Sequence, residues 1–258
     1  MKRKLTMKKT ILILVMLVFF AGCSGGNFKE QKFLGINGSP KSIKDTEYKA
    51  IEEVIEQDVN KVFYYEFNKH GFIQKSVYSN LYFGDTVWDT NTFKNGKCIE
   101  MKSYEKYKNN DLTTTKTLQS RTSKSEIWEC IRSDSTMPTL LFIEFENLKK
   151  TIVEIEPIIN YTLSKEEIII DKNGNIVECK YINRKYYKKE YIEYWSKSTF
   201  NDKSQEVEKK MFAGYDNNTI YTYKYDAFDK KGNWTKKIEY QNGEIKSLTI
   251  REITYGDF

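Results

Sequence analysis

The chain has 258 residues, with 42 lysines and arginines against 36 aspartates and glutamates, and a formal net charge of +6. The first 22 residues hold five of the basic residues and no acids, so the remainder is close to neutral, with both signs interspersed. This excludes the one-sided cationic face that nucleic-acid binding requires. One histidine and four widely spaced cysteines form no metal-ligand set, and no motif indicates a cofactor.

The amino-terminal segment has the pattern of a signal peptide. Five basic residues precede an unbroken apolar run at 11–21. As a helix this run is about 17 Å long, too short for the ~30 Å hydrocarbon core of a bilayer. A basic start, a short apolar middle and small residues at the end predict that residues 1–22 are removed.

The end of this segment resembles the lipobox of bacterial lipoproteins, on the sequence Leu-Val-Phe-Phe-Ala-Gly-Cys at 17–23. Phe20 stands where the family usually has leucine. The resemblance implies cleavage before Cys23 and fatty acyl chains on its sulfur and amino group, which would anchor the protein to a membrane. It also implies the bacterial cell envelope. Ser24 replaces the aspartate that retains many lipoproteins at an inner membrane, which favours the outer membrane or cell surface.

Residues 23–40 are predicted to be the lipidated cysteine and a flexible, glycine-containing tether. Residues 41–258 are predicted to form a single mainly β domain, or two units divided near 125–165. The composition supports strands, because tyrosine (19) and phenylalanine (15) are abundant and proline (3) is scarce.

Within this domain, alternating aromatic and polar residues flank tight turns at 68–71, 94–97 and 171–175. Glycine and asparagine supply the positive φ that hairpin turns require. We therefore expect about twelve antiparallel strands in a meander of hairpins, twisted into an open barrel or sandwich, with at most short helices. The segment 47–60 is predicted to be a strand followed by a short helix or turn, and the polar tracts 106–125 and 196–218 to be exposed loops.

Near the carboxyl end, Tyr221, Tyr223 and Tyr225 alternate with polar residues, the period of two that indicates a strand with one buried face. Turns at 229–233 and 241–244 then predict three consecutive antiparallel strands.

Two resemblances arise from this region. Tyr225-Asp226 followed by Gly232-Asn233 resembles the YD repeat of bacterial wall-associated and Rhs-type shell proteins. The overall plan is similar to that of uncharacterised bacterial lipoproteins: a lipobox, a segment like 38–43, and Tyr-rich hairpins ending in a run like 229–236. Neither resemblance implies a known activity.

Catalytic chemistry finds little support. His70 lies in a predicted turn without a nucleophile motif. Glu144 with Glu146, and Glu154 with Glu156, are spaced like acid–base pairs, but a half-buried strand with acids facing water explains them equally. We predict that the protein is not an enzyme.

Aromatic side chains are the better candidates for binding, because they give apolar contact area at low entropic cost. Burial of one sheet face is the competing explanation. Separately, the three remaining cysteines, Cys98, Cys130 and Cys179, allow one disulfide in an exported protein, or are small buried residues. The predicted ligand-binding residues are Tyr221, Tyr223, Tyr225, Trp234, Tyr240, Tyr187, Tyr191 and Trp195.

Three roles remain open. The first is a non-enzymatic binding or envelope-scaffold lipoprotein that uses a sheet face or edge against a glycan, peptide or protein. The second is a carrier that encloses an apolar, lipid-like ligand in a curved sheet. The third is an immunity-type protein of the envelope with a tight protein partner.

Overall fold

A computed structural model describes residues 36–51, 54–81, 84–107, 110–135, 137–157, 161–183, 191–213 and 216–256. The predicted signal peptide, Cys23 and most of the predicted tether lie outside these ranges. The described residues form sixteen strands: β1 (Pro40–Ile51), β2 (Val54–Phe67), β3 (Ile73–Asn80), β4 (Asp85–Lys94), β5 (Lys97–Tyr107), β6 (Asn110–Arg121), β7 (Ser125–Arg132), β8 (Thr139–Glu146), β9 (Lys149–Glu156), β10 (Tyr161–Ile170), β11 (Ile176–Asn183), β12 (Tyr191–Phe200), β13 (Glu206–Ala213), β14 (Asp216–Phe228), β15 (Trp234–Gln241) and β16 (Glu244–Tyr255).

The strands form a closed antiparallel barrel. Each strand pairs with its neighbours in the sequence, and β1 pairs with β16, for example at Asp45 opposite Arg251. The predicted mainly β meander of hairpins is confirmed, with sixteen strands rather than about twelve. Because the sheet closes on itself, no described strand offers a free edge to a partner, so a role that depends on strand addition is not supported.

The two polar tracts predicted as loops are instead strands. Residues 106–125 include β6, and residues 196–218 include the second half of β12, all of β13 and the start of β14. In β6, Thr113, Thr115 and Thr117 face outward and Lys116 faces inward. A barrel wall accepts polar side chains on both faces, so low hydrophobicity did not indicate a loop here.

The segment 47–60 is also strand. It contains the end of β1 and the start of β2, and no short helix is present among its described residues. Irregular pairing near Glu47 and Tyr48 breaks the alternation of this hairpin.

The barrel has two distinct ends. We call the end where β1 begins and β16 ends the base, and the opposite end the rim. In four base turns, the first residue is Asn or Asp, and its Oδ1 accepts the backbone N–H groups two and four residues further on. The first residues are Asn68, Asp171, Asn201 and Asp229; the fourth residues, Gly71, Gly174, Ser204 and Gly232, have positive φ.

Neighbouring residues show which face is inside. Lys44 and Glu252 form an exposed ion pair on the outer face, 3.1 Å apart. The next pair along the same strands, Asp45 and Arg251, is 2.6 Å apart and buried on the inner face.

The inner face is packed toward the base. Ile43 and Ile168 are essentially inaccessible to solvent, and the charged side chains of Glu126 and Lys150 are only 1% exposed. One apolar cluster joins Ile36, Ile43, Phe67 and Ile73. A larger one joins Cys98, Met101, Trp128, Cys130, Leu141, Ile143, Ile152, Ile168 and Ile170.

The segment before β1 closes the base over the β14–β15 turn. The Asn37 backbone N–H donates to Asn233 Oδ1 at 2.6 Å, and Asn233 Nδ2 donates to the Asn37 carbonyl at 2.9 Å. Asn233 Nδ2 also donates to the Tyr255 hydroxyl, which donates to Asp229. The amino-terminal segment, the turn and the last strand are thereby fastened together.

Candidate functional site

A group of aromatic and charged side chains covers the inner wall where β14, β15, β16, β1 and β2 meet. We call it the seam cluster. The Tyr225 and Trp234 rings are 5.6 Å apart. Lys237 Nζ lies 5.2 Å from the centre of the Tyr223 ring and 5.4 Å from that of Trp234. The cluster consists of Asp45, Tyr65, Tyr223, Tyr225, Trp234, Lys237 and Arg251.

Arg251 is the centre of the seam cluster. Its guanidinium stacks on the Trp234 ring, with Cζ 3.6 Å from the ring centre. Its Nε and Nη2 donate to the two carboxylate oxygens of Asp45, at 2.7 and 2.6 Å. This bidentate geometry suits the planar fork of arginine, which also stacks well on aromatic rings.

The tyrosines of the cluster are held as neutral donors. The Tyr225 hydroxyl donates to the Glu206 carbonyl at 2.9 Å. Burial, followed by the charge of Glu206, raises the pKa of Tyr225 and of Tyr223 above the ordinary range. Burial and the nearby Asp45 carboxylate likewise raise the pKa of Tyr65.

Closer to the rim lies a second group, which we call the rim layer: Glu47, Lys61, Tyr78, Tyr221 and Glu239. Lys61 Nζ is 2.7 Å from Glu47 Oε1, and their side chains are 32% and 16% exposed. Burial lowers the pKa of Lys61, but the Glu47 carboxylate outweighs it and raises the pKa overall. Burial raises the pKa of Glu239, and the Glu47 charge adds to the effect.

Exposure along the inner wall therefore changes from base to rim. Most inner residues near the base are buried, whereas several near the rim, including Asp85, Glu105 and Thr139, are partly exposed; Tyr78 and Asn80, also near the rim, are buried. The interior of an eight-stranded barrel is just wide enough for its inward side chains to fill it. A barrel of sixteen strands has a wider interior. Partly exposed polar side chains therefore line the inner wall near the rim above the packed base, and we call this part of the interior the recess.

The structure separates the predicted ligand-binding residues. Tyr221, Tyr223, Tyr225 and Trp234 are brought together on the inner wall. Tyr240 faces outward opposite Thr222. Trp195 also faces outward, and its Nε1 donates to Glu178 Oε1 at 3.0 Å. Tyr187 and the side chain of Tyr191 lie outside the described part of the chain.

Sequence reasoning missed the charged members of both groups. Asp45 and Arg251 are 206 residues apart in the chain and meet only because the barrel closes. Lys237 and Glu239 share a period of two with the apolar Ile238 between them, but that pattern alone does not indicate which set faces inward. No local signal identified these residues.

The other candidates for chemistry are dispersed. His70 is exposed in a base turn, and Glu144 and Glu146 are exposed on the outer face. Glu154 differs from the expectation of an acid facing water, because it faces inward and accepts from Thr139 Oγ1 at 3.0 Å. All three cysteines in the described ranges are free thiols. The same ranges contain no group of three or more His, Cys, Asp or Glu side chains positioned to hold a metal ion.

Comparison with known proteins finds matches among solved structures. No family model and no curated protein matches the chain. Among solved structures, it is similar to a porin-like protein from Bacteroides uniformis, with a TM-score of 0.45 and 10% sequence identity, over 83% of this chain and 96% of that chain. Within the described residues, no helix is long and apolar enough to cross a membrane.

Proposed function

We propose that the protein is a lipid-anchored, non-enzymatic binding module of the bacterial cell envelope, at the outer membrane or cell surface, whose barrel interior binds a glycan. The observation that carries the proposal is the polar recess, in which partly exposed charged and tyrosine side chains lie on the inner wall of a closed sheet above a packed base. The lipobox resemblance at Cys23 supports the anchor.

The chemistry of the rim layer favours a ligand rich in hydroxyl groups. Lys61 donates hydrogen bonds, Glu47 and Glu239 accept them, and the Tyr221 ring and hydroxyl offer both an apolar face and a polar group. A purely apolar ligand would remove these charges from water without replacing their hydrogen bonds, which is costly. The recess therefore supports a glycan better than it supports a carried lipid tail.

The proposal is tested with the purified full chain on a glycan array, followed by calorimetry on the best glycan. Replacing Lys61 by Met and Glu47 by Gln together is expected to weaken binding at least about tenfold, because hydrogen bonds to charged groups contribute about 1.5–3 kcal/mol each. Tyr240→Phe, on the outer face, serves as the matched control and should bind as the wild type does. Binding to no glycan, or equal binding by the double variant, would contradict the proposal.

A further inference from the structure

The outer face of the barrel carries an uncharged collar near the rim. On each strand, one outward residue in the rim half is apolar or aromatic, except on β6 and β10, which present Thr113 and Thr162. The collar residues are Tyr48, Val62, Val77, Trp88, Tyr104, Thr113, Ile131, Leu140, Ile155, Thr162, Ile182, Ile192, Phe212, Ile220, Tyr240 and Leu248.

Several of these side chains are exposed to solvent. Ile131 is 52% exposed, Ile192 is 42% exposed and Ile220 is 38% exposed; Leu81, at the rim end of β3, is 56% exposed. Apolar surface that is continuous over a large area and rimmed by polar residues marks an interaction site. Because the collar runs around the whole barrel, its occupant has to surround a cylinder, and a bilayer does so whereas a globular partner covers one side.

Lysines lie below the collar on its base side, and we call them the lysine ring. On eleven of the sixteen strands the first charged outward residue below the collar is a lysine, two to six residues from the collar residue. A glutamate takes this place on β2, β7, β8 and β16, and β6 presents uncharged residues such as Thr115 and Thr117. Four of these lysines pair with an acid two residues closer to the base, which places the cation on the collar side; Lys149 instead lies on the base side of its partner Glu167. The pairs are Lys102–Glu100 at 3.2 Å, Lys165–Glu167 at 3.1 Å, Lys210–Glu208 at 3.6 Å and Lys224–Asp226 at 3.0 Å.

We propose that the rim end docks into the interface of an anionic membrane, with acyl chains against the collar and lipid phosphates on the lysine ring. Aromatic side chains next to lysines are the arrangement that membrane–water interfaces favour. Each cation near an anionic surface adds electrostatic attraction to the binding. Docking by a protein surface provides the second membrane signal that reinforces an acyl anchor.

The height of the collar indicates docking rather than spanning. Two successive outward residues on a strand are about 7 Å apart, which matches the ~5–10 Å depth of interfacial elements. A barrel that spans a membrane presents an apolar band about 25 Å tall. Here the base half of the outer wall mixes lysines and acids with apolar residues such as Phe142, Val153 and Ile238, so the described residues form no apolar band of that height. The thirteen residue-to-residue steps from Cys23 to Ile36 reach up to about 45 Å when extended, so an anchor at Cys23 permits this orientation.

The four tryptophans provide the test. Trp88, in the collar, and Trp195, next to Ile192 of the collar, face outward, whereas Trp128 and Trp234 are buried inside. The full-length protein is bound to vesicles of phosphatidylcholine and phosphatidylglycerol that carry brominated acyl chains, and tryptophan quenching is measured. Quenching is expected in the wild type and in a Trp128→Phe, Trp234→Phe variant, and is expected to be lost in a Trp88→Phe, Trp195→Phe variant.

The lysine ring is tested separately. Replacing Lys102, Lys165, Lys210 and Lys224 by Gln is expected to reduce quenching in the anionic vesicles at least severalfold, and Lys230→Gln in a base turn is the control. Flotation with vesicles but no quenching of Trp88 and Trp195 would show an acyl anchor alone and would overturn the docking proposal. Equal quenching in the two double tryptophan variants, or self-association through an unquenched collar, would also overturn it.

Discussion

At the scale of single residues, the interior of the barrel places ionisable groups where they are not solvated. Glu166 on β10 is 3% exposed, and it accepts a hydrogen bond from the Cys179 thiol at 3.3 Å. Burial raises the pKa of Glu166 to about 7, although the thiol and the charges of Lys150 and Lys116 act in the opposite direction. The carboxyl is therefore protonated in the folded protein over a pH range in which the unfolded chain has lost its proton.

This difference makes a prediction about pH. Because the pKa of Glu166 is higher in the folded than in the unfolded state, its contribution to stability is present below about pH 4.5 and is lost as the pH rises to about 7. Glu166→Gln is expected to flatten this decline and to be more stable than the wild type at pH 8, measured by urea unfolding at pH 5 and pH 8.

The control is Glu167→Gln, the next residue, whose outward carboxylate pairs with Lys149 and Lys165. It should leave the decline between pH 5 and pH 8 in place. A Glu166→Gln variant that keeps the full wild-type decline would show that Glu166 is ionised throughout.

At the scale of elements, the hairpins at the base are built by one repeated local rule. An Asn or Asp side chain satisfies two backbone N–H groups, and the fourth residue takes a left-handed conformation. Sequence alone locates most of these turns, because Gly after Asn, Lys or His between alternating segments is a specific signal. It missed the turn at Asn201, where Ser204 takes φ +58° in place of glycine and the flanking strands are rich in lysine.

The turn at Asp229 tests the conformational part of this rule. Gly232 has φ +80°, and a Cβ at that position would meet no atom within 4 Å. Gly232→Ala is therefore expected to destabilise by about 1 kcal/mol through backbone strain alone. Lys230→Ala in the same turn should stay within about 0.5 kcal/mol of the wild type. Guanidinium unfolding measures both variants. A Gly232→Ala variant as stable as the wild type would contradict the left-handed conformation at Gly232.

At the scale of the whole molecule, closure of β1 on β16 decides the architecture. This single pairing removes both sheet edges and brings Asp45, Arg251 and Trp234 together on the inner wall. The rim recess and the outer collar both depend on this pairing, because each is assembled from strands on either side of the β1–β16 junction. If both proposals hold, the recess faces the headgroup layer, where the glycan would be presented by a lipid.

The buried Asp45–Arg251 pair between β1 and β16 can be tested against a matched control on the same strands. Arg251→Leu leaves the buried Asp45 carboxylate without its partner and is expected to cost about 3–5 kcal/mol. Lys44→Leu removes the exposed Lys44–Glu252 pair and should cost less than about 1 kcal/mol. Chemical unfolding measures both, and hydrogen exchange should show faster exchange in β1 and β16 of the Arg251 variant. Equal losses of unfolding free energy in the two variants would argue against burial of the Asp45–Arg251 pair.

By itself, the sequence determined the mainly β antiparallel meander, most of its turns and the shared face of Tyr221, Tyr223 and Tyr225. These depend on interactions between residues close in the chain, namely the period of two and the positive φ of turn residues. Lipidation at Cys23 is likewise a local motif and remains a prediction. The strand character of 106–125 and 196–218 was not visible, because their polar residues fit both faces of a barrel wall.

Only the tertiary structure decided which face is inside. A period of two separates two faces but does not label them, and in this barrel the inner face near the rim is charged while the outer face near the rim is apolar. Tyr240 and Trp195 were therefore grouped with inner residues although they face outward. Closure between strands some 200 residues apart created the seam cluster, the recess and the continuous collar, and no local pattern encodes that pairing.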